Sequence, residues 1–258
     1  MEIAMLGAII GDVVGSRFEF DNIFTQHFEM FHSECDFTDD TICTIAVADA
    51  ILSGKDYSQS IAQWCSKYPY PMGGYGARFA GWVRSKDHKP YNSFGNGSAM
   101  RVSAIGFYYD DYEEVKRQAK MSAECSHNHE EGIKGAVAVA SAIWFARHIS
   151  GAKRSAVNSI AEKYYPGCLA AKYKKGVFDE TCQGTVPLCF KIISESDSFE
   201  EAIRKAVAHG GDTDTIAAIV GGIAEAVWGI PKWIKYGVMK YLPLEMRKVL
   251  EKFYFSIS

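Results

Sequence analysis

Two pairs of acids stand out by type and spacing. Asp39 and Asp40 lie in FTDDTICTIAV (37–47), and Asp212 and Asp214 lie in HGGDTDTIAAIVGG (209–222). Each pair is framed by threonines, Thr38 and Thr41 in the first and Thr213 and Thr215 in the second. Carboxylate and hydroxyl oxygens are hard donors that suit Mg²⁺ or Mn²⁺, whereas Zn²⁺ prefers imidazole and thiolate. An acid at a helix N-terminus also has an ordinary role as a cap, worth about 0.5–2 kcal/mol. Either pair alone is read most simply that way. If the two helix mouths meet, their four carboxylates balance two divalent ions, and ions about 3.5–4 Å apart can orient a substrate and activate water. Spacing along the chain does not itself bring them together.

Both pairs need helices behind them. After Asp214 the apolar positions run Ile216, Ile219, Val220, Ile223 and Val227, and after Asp40 they run Ile42, Ile45, Ala46, Ile51 and Leu52. These are helical stripes. Near the N-terminus, Gly7, Gly11 and Gly15 fall on one helix face, bare enough for a second helix to approach closely. Asp12 beside that face can cap or orient a neighbour, and Glu19 follows the predicted helix end. Helix starts are expected at Asn128 with Glu131, Asp111 with Glu114, Ser198 with Glu201, and at Ser155. Roughly ten helical segments and no alternating strand predict an all-α fold, one compact multi-helix domain over 1–258.

The stretch 68–100 breaks the pattern with prolines, glycines and aromatics, as binding loops do. Its glycines can present backbone N–H groups to an anion. Phe94 stacks on a ligand ring or packs locally, and Arg101 pairs with a ligand anion or with a carboxylate of the protein. His127 and His129, two residues apart, point to different sides and do not form a metal pair.

Composition narrows the function. The 258 residues carry 48% hydrophobic and 23% charged side chains and a net charge of −3. No basic run indicates nucleic acid. The start lacks a basic, apolar leader pattern. The longest uncharged apolar run, 135–146, is too short to cross a bilayer. Seven cysteines without CxxC spacing are expected as free thiols in a reducing cytoplasm, and a monomer is expected.

Six segments in order, GAIIGDVVGSRFEF, TDDT, GYGARF, SFGNGSAMRVSAIG, SHNHEEGIKGA and GGDTDT, resemble the ADP-ribosylglycohydrolase family from about Leu6 to Pro231. The resemblance implies an all-α fold with a binuclear Mg²⁺ or Mn²⁺ centre that releases ADP-ribose from an ADP-ribosylated protein or small conjugate. It implies metal ligands at Thr38, Asp39, Asp40, Asp212, Asp214 and Thr215, with Glu19 near metal and substrate. Gly74 and Gly76 match a glycine loop beside the ribose. Ser93, Phe94, Gly95, Asn96 and Ser98 match the loop that cradles diphosphate and ribose, and His127 matches a histidine near the ligand. Thr213 stands where the family commonly has serine. The general acid or base would be Glu19 or one of the metal-bound aspartates, Asp40 and Asp214 being the candidates. Arginine-linked ADP-ribose is the favoured substrate, with serine-linked and O-acetyl forms open. A silent ADP-ribose-binding protein on the same fold and a binuclear phosphoester hydrolase are the alternatives.

Overall fold

The computed structural model describes residues 5–257. Among them fourteen α-helices follow one another: α1 (Leu6–Gly15), α2 (Asp39–Ser53), α3 (Tyr57–Lys67), α4 (Ala77–Arg84), α5 (Gly97–Met100), α6 (Ser103–Tyr108), α7 (Tyr112–Glu124), α8 (Glu130–His148), α9 (Lys153–Tyr164), α10 (Cys182–Ser194), α11 (Phe199–His209), α12 (Thr213–Trp228), α13 (Lys232–Val238) and α14 (Leu244–Ile257). The described residues hold no β-strand, and their single isolated bridge joins Gly95 to Thr181. The expected all-α class holds. The helix count exceeds the expected ten because α4, α5, α6 and α13 are too short to show a stripe.

The central element is α12, which buries almost every residue it has. Helix α1 packs along it antiparallel through the predicted glycine face. A Cβ on Gly7 would stand 2.2 Å from Gly221 O, one on Gly11 1.9 Å from Ala217 O, and one on Gly15 2.5 Å from Thr213 O. Only glycine allows the two backbones this close, and the contact fixes where the N-terminus of α12 lies against the end of α1. Helices α2, α8, α10 and α11 also pack on α12. Ile216, Ile219, Val220 and Ile223 are at most 3% exposed. Burying each contributes about 1.5–3 kcal/mol before chain entropy is counted.

Local rules hold where the cap is local. Asp111 accepts the Glu114 N–H at 2.9 Å, and Ser198 accepts that of Glu201 at 3.2 Å. Two expected starts are corrected. The cap of α8 is His129, whose Nδ1 accepts the Glu131 N–H, because the Asn128 side chain is drawn away to the Asn92 N–H at 2.7 Å. Helix α9 begins at Lys153, two residues before Ser155, with no side-chain cap. All seven cysteines are free. No helix of the described residues is long and apolar enough to cross a membrane.

Candidate active site

The two acid pairs meet. Helix α1 supplies the scaffold through Asp12, a fully buried carboxylate at the junction. Its Oδ2 accepts the N–H groups of Thr38 and Thr41 at 3.0 Å each, and its Oδ1 accepts the Thr38 hydroxyl at 2.7 Å. The Thr41 hydroxyl also donates to Oδ2. Burial pushes the Asp12 carboxyl up to about 6 against the pull of these hydrogen bonds. The N-terminus of α2 is thereby tied to α1, and Thr38 Oγ1 caps it by accepting the Asp40 N–H at 3.2 Å.

The second pair is fixed as firmly. Thr213 Oγ1 donates to Gly15 O at 2.9 Å. Gly210 and Gly211 make the turn into α12 with φ of 75° and 89°, a region that favours glycine. Asn22, 189 residues away, clamps that turn: its Oδ1 accepts the Gly211 N–H at 2.7 Å and its Nδ2 donates to Gly211 O at 3.1 Å. Thr215 Oγ1 donates to Asp40 Oδ2 at 3.1 Å and links the two pairs directly. Glu19 completes the group. One carboxylate oxygen each of Glu19, Asp212 and Asp214 lie within 4.8 Å of one another.

These acids form one wall of a cavity of about 440 Å³, with Glu19, Asp39, Asp40, Asp212, Asp214 and Thr215 on its surface. Burial, and then neighbouring acids, push the carboxyls of Asp39, Asp40 and Asp214 well above the usual range. Asp212 is also pushed up by burial, although hydrogen bonds from Asp214, Asn96 and Thr215 oppose the shift. Glu19 rises to about 7 through burial and the charges of Asp212, Asp12 and Glu180. Glu19 Oε2, Asp40 Oδ1 and Asp214 Oδ1 are buried with no hydrogen-bond partner. Orphaned anionic oxygens at one point are costly without a cation. An all-oxygen donor set facing a cavity fits Mg²⁺ or Mn²⁺.

The opposite wall comes from irregular chain. Gly73 and Gly74, with φ of 75° and 83°, carry the backbone past Glu19. A Cβ on Gly73 would stand 2.6 Å from Glu19 Oε2. Gly74, Gly76, Ser93, Gly95, Asn96 and His127 line this side. Asn96 bridges the walls, its Nδ2 donating to Asp212 Oδ2 at 2.6 Å and to Thr185 Oγ1 at 3.1 Å. Not every loop N–H faces a ligand: that of Gly95 is taken by Ser93 Oγ and that of Asn96 by Glu180 O.

Three residues expected at the site point elsewhere. Thr38 faces Asp12 as a cap. Ser98 is buried beneath the loop and donates to Gly132 O at 2.7 Å. The Phe94 ring turns outward, 41% exposed, and packs edge-on against His129 at 5.3 Å. The cavity also takes in residues the sequence did not single out for it, among them Phe20, Gly73, Arg78, Tyr91, Phe178 and Glu180. Gly73 adjoins a glycine already chosen and was within reach of the pattern. Glu180 and Phe178 lie in irregular chain with no local signal. Among the described residues Arg101 makes no salt bridge: its NH2 donates to Ser122 O at 2.7 Å and Ser126 Oγ at 2.9 Å, while its Nε and NH1 have no partner there.

The chain is similar to known proteins in sequence and in fold. The family model for ADP-ribosylglycohydrolase matches residues 3–253. ADP-ribosylhydrolase ARH3 of Mus musculus is 25% identical, over 88% of this chain and 83% of that protein. ADP-ribosylhydrolase ARH3 of Homo sapiens is 24% identical, over 88% and 84%. A solved structure, an "ADP-ribosylglycohydrolase-related protein complex", superposes with a TM-score of 0.77 at 21% identity, covering 98% of this chain and 96% of its own, and so shares the fold.

Proposed function

The chain belongs to the ADP-ribosylglycohydrolase family and is a glycosyl-bond hydrolase, and from that premise we propose that it removes ADP-ribose from an ADP-ribosylated arginine with the help of two divalent cations. The observation that carries this reading is the set of three orphaned oxygens, of Glu19, Asp40 and Asp214, where the two acid pairs meet on one cavity.

Asp39, Asp40, Asp212, Asp214 and Thr215 would hold Mg²⁺ or Mn²⁺. The cations would supply charge for the distal ribose hydroxyls and a water of lowered pKa. Glu19 does the proton work. Burial and the charges of Asp212, Asp12 and Glu180 raise its carboxyl in the absence of cations, and cations on the neighbouring aspartates would lower it, leaving a carboxylate suited to take a proton from water. Asn96 holds Asp212 in place. The Gly73–Gly74 turn lets the chain pass the Glu19 carboxylate, where a side chain would intrude.

The mouth of the cavity supports arginine as the acceptor. Phe20 and Phe178 stack there with ring centroids 6.0 Å apart and are 75% and 45% exposed. Glu180 lines the same cavity. Exposed rings in a cavity lined by acids attract a planar cation.

The test is incubation of the EDTA-treated protein with arginine-linked, serine-linked and O-acetyl ADP-ribose, with and without Mg²⁺ or Mn²⁺. Release of free ADP-ribose from the arginine conjugate only with metal is the expected result. Faster release from another conjugate overturns the acceptor. Binding without turnover of any conjugate overturns hydrolysis and leaves a silent ADP-ribose-binding protein, and AMP as product indicates a phosphoester hydrolase.

A further inference from the structure

His127 is 5% exposed, and its ring lies among Tyr91, at 5.9 Å between centroids, and Phe79, at 6.4 Å. Its Nε2 faces the ligand loop: a Cβ on Gly97 would be 3.0 Å from it and one on Gly95 3.5 Å. Its Nδ1 is 2.8 Å from Ser126 Oγ. The neighbouring groups decide which nitrogen carries the proton. The Arg101 guanidinium has donors only. Its NH2 sits 2.9 Å from Ser126 Oγ, so the serine oxygen accepts there and directs its own proton elsewhere. The available acceptor is His127 Nδ1 at 2.8 Å, since Cys125 Sγ, 4.0 Å away, stands as a donor to the serine oxygen. The hydroxyl therefore donates to Nδ1, which must be bare, and the proton of a neutral imidazole must sit on Nε2.

We infer that Arg101 and Ser126 are positioning residues that lock His127 as a neutral Nε2–H donor aimed into the cavity, at a phosphate oxygen of the ligand. The identity of that ligand rests on the function proposed above; the locked tautomer does not. Two further features agree. Burial and the charges of Arg101 and Arg78 hold His127 well below the usual imidazole range, so it stays neutral at physiological pH. Arg101, itself fully buried, is further held by Ser122 O at 2.7 Å. The chain from Arg101 through Ser126 to His127 thus turns a fixed positive charge into a directed neutral donor, and such a donor keeps its strength as pH changes.

The experiment is ¹⁵N spectroscopy of histidine-labelled, full-length protein with Mg²⁺, with the His127 signals identified by their loss in His127→Gln. The expected spectrum shows a protonated Nε2 and a bare Nδ1, unchanged between about pH 6 and 8. Added ADP-ribose should shift the Nε2–H signal. In Ser126→Ala the lock is gone, so both tautomers should appear and the dissociation constant for ADP-ribose should rise by the reciprocal of the remaining Nε2–H fraction, about 2-fold at equal populations. Ser126→Thr keeps the hydroxyl and should restore both readouts. A protonated Nδ1 in the parent overturns the proposal outright, even if the alanine variant does not fold. So does an alanine variant with unchanged tautomer and affinity. Failure of ADP-ribose to bind a parent that shows the expected tautomer overturns the choice of ligand and leaves the lock standing.

Discussion

Helices α1 and α12 run antiparallel, and each end of the pair holds buried acid. At the site end, Asp12, Asp212 and Asp214 meet Asp40 and Glu19. At the far end, Glu225 of α12 lies under the first turn of α1 and accepts the Gly7 N–H at 2.7 Å, with the Met5 and Leu6 N–H groups also holding it. Burial raises carboxyls at both ends, Glu19 and Glu225 alike to about 7. A raised pKa therefore does not distinguish a working acid from a capping one. The partners do. Glu225 saturates the unpaired donors of a helix start, which is what a cap does. Glu19, Asp40 and Asp214 leave oxygens bare towards a cavity. Asp12 shows both roles side by side, because it is an acid among ligands that spends its oxygens on capping α2.

The largest effect that breaks this comparison comes from Asp214→Asn. Asparagine caps about as well as aspartate, so a mere cap predicts little change. With a ligand lost, hydrolysis should be abolished. Mg²⁺ at about 100 times its dissociation constant stabilises a site by roughly 2.7 kcal/mol. At about 2–4 °C per kcal/mol, that raises the parent melting temperature by roughly 5–10 °C. The variant should lose most of that rise, while its metal-free form melts no lower than the parent because one repelling charge is gone. Paired melting curves with EDTA and with Mg²⁺ decide the matter, and no metal response in the parent would reduce both acid pairs to caps.

Next in size is Glu19→Gln, which keeps shape and removes the proton-carrying group. Turnover should fall at least about 100-fold, the scale for a general acid or base, with ADP-ribose affinity nearly unchanged. Turnover within a few-fold of the parent would take Glu19 out of the mechanism.

How much of this was legible depends on how local each cause is. The acid pairs, their helices and the glycine face are written within single turns, and six of the expected site residues do share the acid wall. Asp12 could be suspected because it sits beside that face. Asn22 could not: its role exists only once a turn 189 residues away is brought to it. Thr38 and Ser98 carried the right chemistry in the right motifs, but side-chain direction is set by tertiary packing, and both point away from the cavity. The start of α8 shifted by one residue because Asn128 found a long-range partner that local capping rules do not see.

Glycine packing makes a third, smaller test. Gly11→Val puts a side chain into the Ala217 carbonyl, 1.9 Å from where its Cβ would fall. Overpacking of this kind costs about 1–3 kcal/mol, so the melting temperature should drop by roughly 2–12 °C. Activity should fall in step, because Asp12 and Asp214 ride on the two helices being pushed apart. Gly81→Ala, in α4 with open space around it, is the control and should be neutral or stabilise by about 0.5–1 kcal/mol. Equal losses in the two variants would mean that the close contact of α1 and α12 is not what positions the acids.

The smallest effect isolates the capping end, through Glu225→Gln. The Glu225 carboxyl titrates near 4.5 when unfolded and about 7 when folded, because burial outweighs the backbone N–H groups and Lys235. The folded protein therefore holds this proton more tightly than the unfolded chain. Its contribution to stability is complete below about 4.5 and is lost as pH rises towards 7. The loss is at most about 3 kcal/mol at roughly 1.36 kcal/mol per unit, and less to the extent that water reaches the carboxylate. Glutamine keeps an acceptor for the Gly7 N–H and has nothing to titrate. The melting temperature of the variant minus that of the parent should therefore rise by a few degrees, roughly 2–4 °C per kcal/mol, between pH 4.5 and 8. Measured in saturating Mg²⁺, that difference should persist, since among the described residues the only acidic cluster that could hold a metal is the one at the other end. For Asp214→Asn the corresponding difference should depend strongly on metal. A Glu225→Gln difference that stays flat with pH would mean that the carboxylate is solvated enough to ionise freely in the fold, and that the two ends of the helix pair differ in exposure rather than in how their oxygens are partnered.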